Sequence, residues 1–469
     1  MGTTVTLPLW LFLLVLLFAA VTFASHFLFP SVRWFFRRRA EKVIARLNER
    51  LARPIEPFKL ARRYDMIQRL IYDPEVSQAI VDYAAEEGVP ENVAFEKARR
   101  YAREIVPGFS ATAYFTVGTR LARWLSRSLY RIRLGAFDRD ALEDIDADAA
   151  VVFVMNHRSN MDYVLVTYLV SRASALSYAV GEWARVWPLS AVIRSMGAYF
   201  IRRKSRGALY RRVLARYVQL STQGGVTQAM FPEGGLSVTG RVMEAKLGLL
   251  SYIVESWSPG GREVIFVPVA LNYDRVLEDR FLIKADKTGV RRFRPPLGTV
   301  VRAVLGHLWQ RVTFRFKGFG TASVGFGQPL RLSTFAGAGQ SEEVTSAVAA
   351  ELMDRIRAVV PVMPVPLVSR MILQGVTERG ALKVAAQSAI DMFRSNGVTV
   401  PRRDARTVTQ DALEILFQRG LVREEDGRIL VEDGAEDVLA YYAASIAHHF
   451  KSGTRKVPNA VESDAAVRQ

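Results

Sequence analysis

The residues best suited to chemistry stand together in one stretch, Asn156-His157-Arg158-Ser159-Asn160-Met161-Asp162. An imidazole that takes up a proton needs a fixed tautomer and a stabilised cation, and a carboxylate at one ring nitrogen supplies both. The stretch follows an apolar run from Ala149 and precedes a second, Tyr163 to Ser171. Read as strand, loop and helix, this order puts His157 at a strand's carboxyl end, where open α/β sheets present functional groups. Ser159 or Asn160 suits the N-cap and Asp162 the first helical turn, from which its carboxylate can fold back towards His157. Taken alone, the pattern equally allows Asp162 to serve the helix dipole and His157 to be an ordinary polar loop residue.

Three further strand ends carry matching chemistry. Gly197-Ala198-Tyr199-Phe200-Ile201 runs into Arg202, Arg203 and Lys204. Adjacent cations in a cleft repel one another unless an anion is present, and arginine grips phosphate in a bidentate fashion. Phe231-Pro232-Glu233-Gly234-Gly235-Leu236-Ser237 offers a carboxylate that could anchor the loop or bind a substrate hydroxyl. Its two glycines could turn backbone N–H groups towards an anion. Val267-Pro268-Val269-Ala270-Leu271-Asn272-Tyr273-Asp274 carries a proline inside a strand, which calls for an edge or a bulge. Each stretch also has a plainer reading as a solvated strand end or a turn. Rival chemistries fail locally. Gly235-Leu236-Ser237-Val238-Thr239 ends in threonine where a nucleophile elbow needs glycine. Neither a Gly-rich phosphate loop nor a dinucleotide fingerprint occurs. The absence of cysteine excludes thiol nucleophiles and disulfides, and the five histidines lack zinc-site spacing.

The elements that must position these groups show as changes of pattern. From 148 to 335, short apolar runs (149–154, 197–201, 226–231, 264–271, 311–316 and 323–330) alternate with helical stretches. That predicts an α/β fold, a mostly parallel mixed sheet flanked by helices. Residues 33–147 read as a helical region. Residues 342–450 read as helices containing a winged-helix-like segment, and 451–469 as a disordered tail. The stretch 177–197, with Trp183, Trp187 and Ile193, reads as a helix that is either core or dips into a membrane interface. Residues 7–29 are long and apolar enough to span a bilayer as a helix. No Lys or Arg precedes them, whereas Arg33, Arg37, Arg38, Arg39 and Lys42 follow. This predicts an uncleaved single-pass anchor in the inner membrane with the rest of the chain in the cytoplasm; lying in the interface is the alternative. A net charge of +18 over 469 residues favours anionic partners: lipid headgroups, phosphorylated metabolites, an acidic carrier protein or nucleic acid.

The ordered set His-Arg-Ser-x-x-Asp, Gly-x-x-Phe-Ile-Arg-Arg, Phe-Pro-Glu-Gly-Gly and Val-Pro-Val-x-x-x-Tyr-Asp closely resembles the four motif blocks of bacterial glycerol-3-phosphate acyltransferases, within the glycerolipid acyltransferase superfamily. Tyr441-Tyr442-Ala443-Ala444-Ser445-Ile446-Ala447-His448 resembles the family's C-terminal helix. The resemblance implies transfer of a fatty acyl group from coenzyme A or acyl carrier protein to the 1-hydroxyl of glycerol 3-phosphate, with no cofactor beyond that co-substrate. It makes His157 the base and Asp162 its orienting partner. The substrate-binding set becomes Arg158, Ser159, Arg202, Arg203, Lys204, Glu233, Gly234, Gly235 and Pro268, with Arg202 and Arg158 on the phosphate and Pro268 bordering the acyl channel. Relatives often carry arginine where Leu236 and Val238 stand. Either Arg203, Lys204, Arg241 or Lys246 takes over that charge, or the acceptor is dihydroxyacetone phosphate or lysophosphatidate. A membrane-tethered nucleic-acid module is the non-enzymatic alternative, disfavoured because Asp411 to Val422 holds Arg419 as its one basic residue before Arg423.

Overall fold

Apolar runs that leave water must pair their backbone groups, and runs buried on both faces do so best inside a parallel sheet. The computed structural model describes residues 8–19, 38, 42, 44–49, 51–171, 173–181, 189–202, 207–290, 318–335, 337 and 339–450. Among these, one sheet is built from β1 (Arg131–Leu134), β2 (Ala150–Met155), β3 (Ser177–Gly181), β4 (Tyr199–Ile201), β5 (Gln228–Met230), β6 (Val264–Tyr273), β7 (Thr321–Phe326) and β8 (Leu330–Arg331). The order is β1-β7-β6-β2-β5-β3-β4, with β8 also paired to β6. Strands β6, β2, β5, β3 and β4 are mutually parallel, while β7 and β8 run antiparallel to β6. Every residue of β2 and β6 is buried, so the site strands sit in the middle of the sheet. The parallel register Ala150↔Val264 to Met155↔Val269 brings their carboxyl ends to the same edge.

The sheet is the mostly parallel, helix-flanked one that the patterning predicts, with two additions. β1 comes from the stretch expected to be helical and pairs with β7. β3 replaces the first part of the helix expected over 177–197. Its five residues are buried between β5 and β4, and periodicity cannot separate so short an apolar run from a buried helix. The helix that follows covers only Leu189–Ser195, and Trp183 and Trp187 lie outside the described residues. Pro268 sits neither at an edge nor in a bulge of its own strand. β6 is internal, and Val154 is its register partner there. The break lies in the neighbouring chain: β7 pairs with 269–273, β8 with 265–266, and the Pro268 carbonyl accepts Gly327 N–H between them at 2.8 Å. The run 311–316 and the tail 451–469 lie outside the described residues.

Helices on both sides of the sheet region in sequence join its core. Ile55–Ser171 and Ala175–Gln469 form one compact unit, and Met1–Pro54 with Arg172–Ser174 form another. One apolar cluster includes Ile105, Val154, Val218, Phe266 and Ile356, so the helices from Ile55 onward and those after Glu342 are layers of the same unit as the sheet. For the expected span over 7–29, residues 9–19 are helical and exposed apart from half-buried Leu11, and residues 7 and 20–29 lie outside the described residues. No helix among the described residues is long and apolar enough to cross a membrane.

The C-terminal helices are tied to the carboxyl end of β6. The Asn272 carboxamide donates to Pro361 O at 2.9 Å and to Ser445 Oγ at 3.2 Å. Asp274 accepts Val365 N–H in the first turn of helix Pro364–Leu373 and Thr321 N–H at the start of β7. Tyr442, from helix Glu436–Ala444, donates to Asp279 Oδ2 at 2.6 Å and accepts from Val276 N–H at 2.9 Å and Arg419 Nη1 at 3.1 Å. Helix Ala405–Gln418 and the antiparallel pair β9 (Val422–Glu425) and β10 (Arg428–Val431) form the winged segment. Its Arg419 is buried against Asp279. Replacing Tyr442→Phe removes the acceptor of Val276 N–H and one of the donors to Asp279 Oδ2, and is expected to cost about 1–3 kcal/mol, read as a lower urea midpoint at unchanged slope.

Candidate active site

The loop after β2 is organised by Asp162. Its Oδ2 accepts Arg158 N–H at 2.7 Å and Ser159 N–H at 3.0 Å and lies 2.9 Å from His157 Nδ1. Its Oδ1 accepts the Tyr273 hydroxyl at 2.6 Å. Four donors around one carboxylate, in the first turn of helix Met161–Val170, hold a group that burial alone would disfavour. With Nδ1–H turned to Asp162, His157 keeps a lone pair on Nε2, the tautomer a general base requires. The ring is buried, stacked on Phe231 at 3.9 Å between centroids and set edge-on to Tyr163 at 5.5 Å.

Sheet pairing places the loop. Asn156, the first residue beyond β2, accepts Leu271 N–H at 2.7 Å and donates to Leu271 O at 3.0 Å, locking loop to β6. Ser159 takes the capping role: its hydroxyl accepts Met161 N–H at 3.1 Å and donates to Glu278 at 2.8 Å. Asn160, at the N-cap position, donates instead from N–H and side chain to Glu278 Oε1.

The turn after β5 closes the other side. Glu233 Oε1 accepts His157 N–H at 3.2 Å, and Ser237 N–H donates to His157 O at 2.8 Å. Burial pushes the Glu233 carboxyl up to about 8. Gly234 adopts φ +68° with the Lys246 stem across it, and its N–H is spent on Phe231 O rather than offered to an anion. Gly235 lies in the same turn. Leu236 and Val238 are buried, while Arg241 and Lys246 are exposed. Arg158 is the buried cation here. Its Nη1 donates to Gly240 O, its guanidinium lies over Tyr441 at 4.8 Å, and Nε and Nη2 have no hydrogen-bond partner among the described residues. Gly240 is required: at φ +82°, an added Cβ would come within 1.9 Å of Tyr441 O.

The structure thus gathers His157, Arg158, Ser159, Asp162 and Glu233, with Pro268 inside the adjoining strand. It does not bring Arg202 to them. β4 lies three strand spacings from β2, about 14 Å, and Arg202 is held there by Glu104 through Nε at 2.8 Å and Nη2 at 2.6 Å. The guanidinium also lies over Tyr101 and Tyr210. The reason is a carboxylate on helix Glu91–Ile105, whose packing on β4 no local pattern displays. Arg203 and Lys204 lie outside the described residues. Sequence reasoning missed Glu278, Tyr441 and the role of Tyr273, although Tyr273 and Tyr441 stood inside the quoted motifs.

Residues 138–272 match the family model described as acyltransferase, and residues 305–452 match the glycerol-3-phosphate acyltransferase C-terminal region. The chain is a relative of the glycerol-3-phosphate acyltransferases. Those of Pseudomonas entomophila strain L48 and Pseudomonas aeruginosa strain LESB58 are 28% identical over 424 and 421 residues, covering 83% of this chain and 49% of theirs. The chain therefore spans about half the length of the curated relatives it matches. A solved 1-acyl-sn-glycerophosphate acyltransferase from Thermotoga maritima aligns with 60% of this chain and 95% of its own, at 17% identity and a TM-score of 0.31.

A carboxyl raised from 4.5 to about 8 on folding binds more protons folded than unfolded, so its contribution to stability falls as pH rises through that window. Glu233→Gln keeps an acceptor for His157 N–H and removes the titration. Urea midpoints are expected to move in favour of the variant between those two pH values and to run parallel outside them.

Proposed function

We propose that the chain transfers a fatty acyl group from acyl-CoA or acyl carrier protein to the 1-hydroxyl of glycerol 3-phosphate, releasing lysophosphatidate and the free thiol. The observation that carries this reading is the buried His157–Asp162 pair, with Nδ1 fixed at 2.9 Å and Nε2 left as the proton acceptor. His157 Nε2 takes the hydroxyl proton as the oxygen attacks the thioester carbonyl. The tetrahedral intermediate collapses, the C–S bond breaks, and the imidazolium returns its proton to the thiolate. No covalent acyl-enzyme forms, and the route runs on side chains and co-substrate alone.

Arg158 is the cation for the acceptor phosphate, since two of its buried nitrogens have no partner among the described residues and Arg202 is committed to Glu104. Glu233 supports the loop through His157 N–H. A second reading, with lysophosphatidate or dihydroxyacetone phosphate as acceptor, draws on Leu236 and Val238, which put buried apolar side chains where relatives often carry arginine. Nucleic-acid binding is disfavoured, because Arg419 is buried against Asp279. We place the protein at the cytoplasmic face of the inner membrane, held by its apolar N-terminal segment and by anionic lipid.

His157→Ala is expected to lower turnover by at least about 10²-fold without loss of folding, because it removes the general base. Retained turnover overturns the assignment. Side-by-side assay with the three acceptors is expected to favour glycerol 3-phosphate, and preference for either rival selects the second reading. Tyr273→Phe removes a donor from Asp162 and is expected to lower kcat about tenfold at unchanged KM.

A further inference from the structure

Helix Thr119–Leu129 presents two different faces. Ala122, Ser126 and Leu129 are buried. Arg127 Nε donates to the Tyr168 hydroxyl at 3.1 Å, and Arg123 and Arg127 both lie over that ring. The helix is therefore laid along Met161–Val170, whose first turn carries Asp162. Its other face is apolar and exposed. Val117, Leu121 and Trp124 are 64%, 51% and 57% exposed, at the four- and three-residue spacing of a single stripe. Val117 belongs to the π-helical turn Ala113–Gly118 that leads into the helix.

The charge around this stripe has one sign. Arg120, Arg123 and Arg127 are exposed beside it, and from Thr112 to Phe137 the chain has five arginines and no carboxylate. A helix facing only water mixes signs and places polar groups outward. Exposed tryptophan, leucine and valine bordered by arginines fit a bilayer surface, with the apolar side chains at the acyl boundary and the guanidinium groups at headgroup phosphates.

We propose that the outward face of residues 117–127 docks on a bilayer containing anionic lipid, as a contact separate from the N-terminal segment. The inference rests on the reading that the enzyme works at a membrane, and it adds which surface of the sheet unit meets the lipid. Docking there seats helix Met161–Val170, and with it the His157 loop, beside the phase into which acyl chains partition.

The chain contains no cysteine, so Leu121→Cys accepts a single environment-sensitive fluorophore on the 469-residue chain. A second label at exposed Gln387→Cys serves as control. With vesicles of phosphatidylcholine and phosphatidylglycerol, the probe at position 121 is expected to shift to the blue and to be quenched by spin-labelled lipid. The control stays in water. Arg120→Ala is expected to weaken vesicle affinity about fivefold, and added salt to weaken it further. Co-sedimentation with the position-121 probe still in water, or with both probes shifted, overturns this face and leaves the membrane reading standing. No co-sedimentation overturns both. A shift that appears without vesicles and grows with protein concentration assigns the face to a second copy of the chain and overturns the lipid.

Discussion

The structure depends on one buried carboxylate. Asp162 has no exposure, and it is held by Arg158 N–H, Ser159 N–H, His157 and the Tyr273 hydroxyl. Two strands must supply those groups at once. The loop after β2 gives three, and the last residue of β6 gives the fourth. The parallel register of β2 on β6 is thus part of how the site is built, and the Asn156 carboxamide, bonded both ways to Leu271, keeps the loop aligned with it. A slip by one residue would turn Tyr273 to the opposite face and leave Oδ1 without a donor.

The C-terminal helices belong to the same construction. Asn272, Tyr273 and Asp274 are consecutive and face different tasks: Pro361 and Ser445, Asp162, and the start of helix Pro364–Leu373. Burial pushes Asp274 up to about 6 although two backbone N–H groups stabilise its charge, which shows how far the junction lies from solvent. Tyr441 and Tyr442 extend the junction to both sides of the site, one under the Arg158 guanidinium and the other on Asp279. The region that matches the C-terminal family model therefore forms one wall around the loop.

Charge divides between two parts of the sheet. Arg158 stands buried next to His157, while Arg202 is neutralised on the edge strand by Glu104. A run of cations in sequence suggests an anion site because repulsion demands a counter-charge. Here a helix supplies that counter-charge for the first of the three.

Much of the site was legible in the sequence. Periodicity placed β2, β5 and β6 correctly, because parallel strands buried on both faces read as continuous apolar runs. It also put His157 and Glu233 just beyond strand ends, and the short spacing from His157 to Asp162 can close within one loop and one helical turn. Other features required the folded chain. β1 and β3 are too short and too ambiguous in periodicity to be read from local pattern. The internal position of Pro268 is set by where β7 and β8 break, far along the chain. Arg202 to Glu104, Tyr273 to Asp162 and Glu278 to Ser159 join residues 98, 111 and 119 positions apart. Local residue types name His157 and Asp162 as a pair, since the two lie within one loop and one helical turn of each other. Which donors satisfy a buried carboxylate, and which cation is left without one, depends on packing between distant elements, and only the tertiary structure decides it.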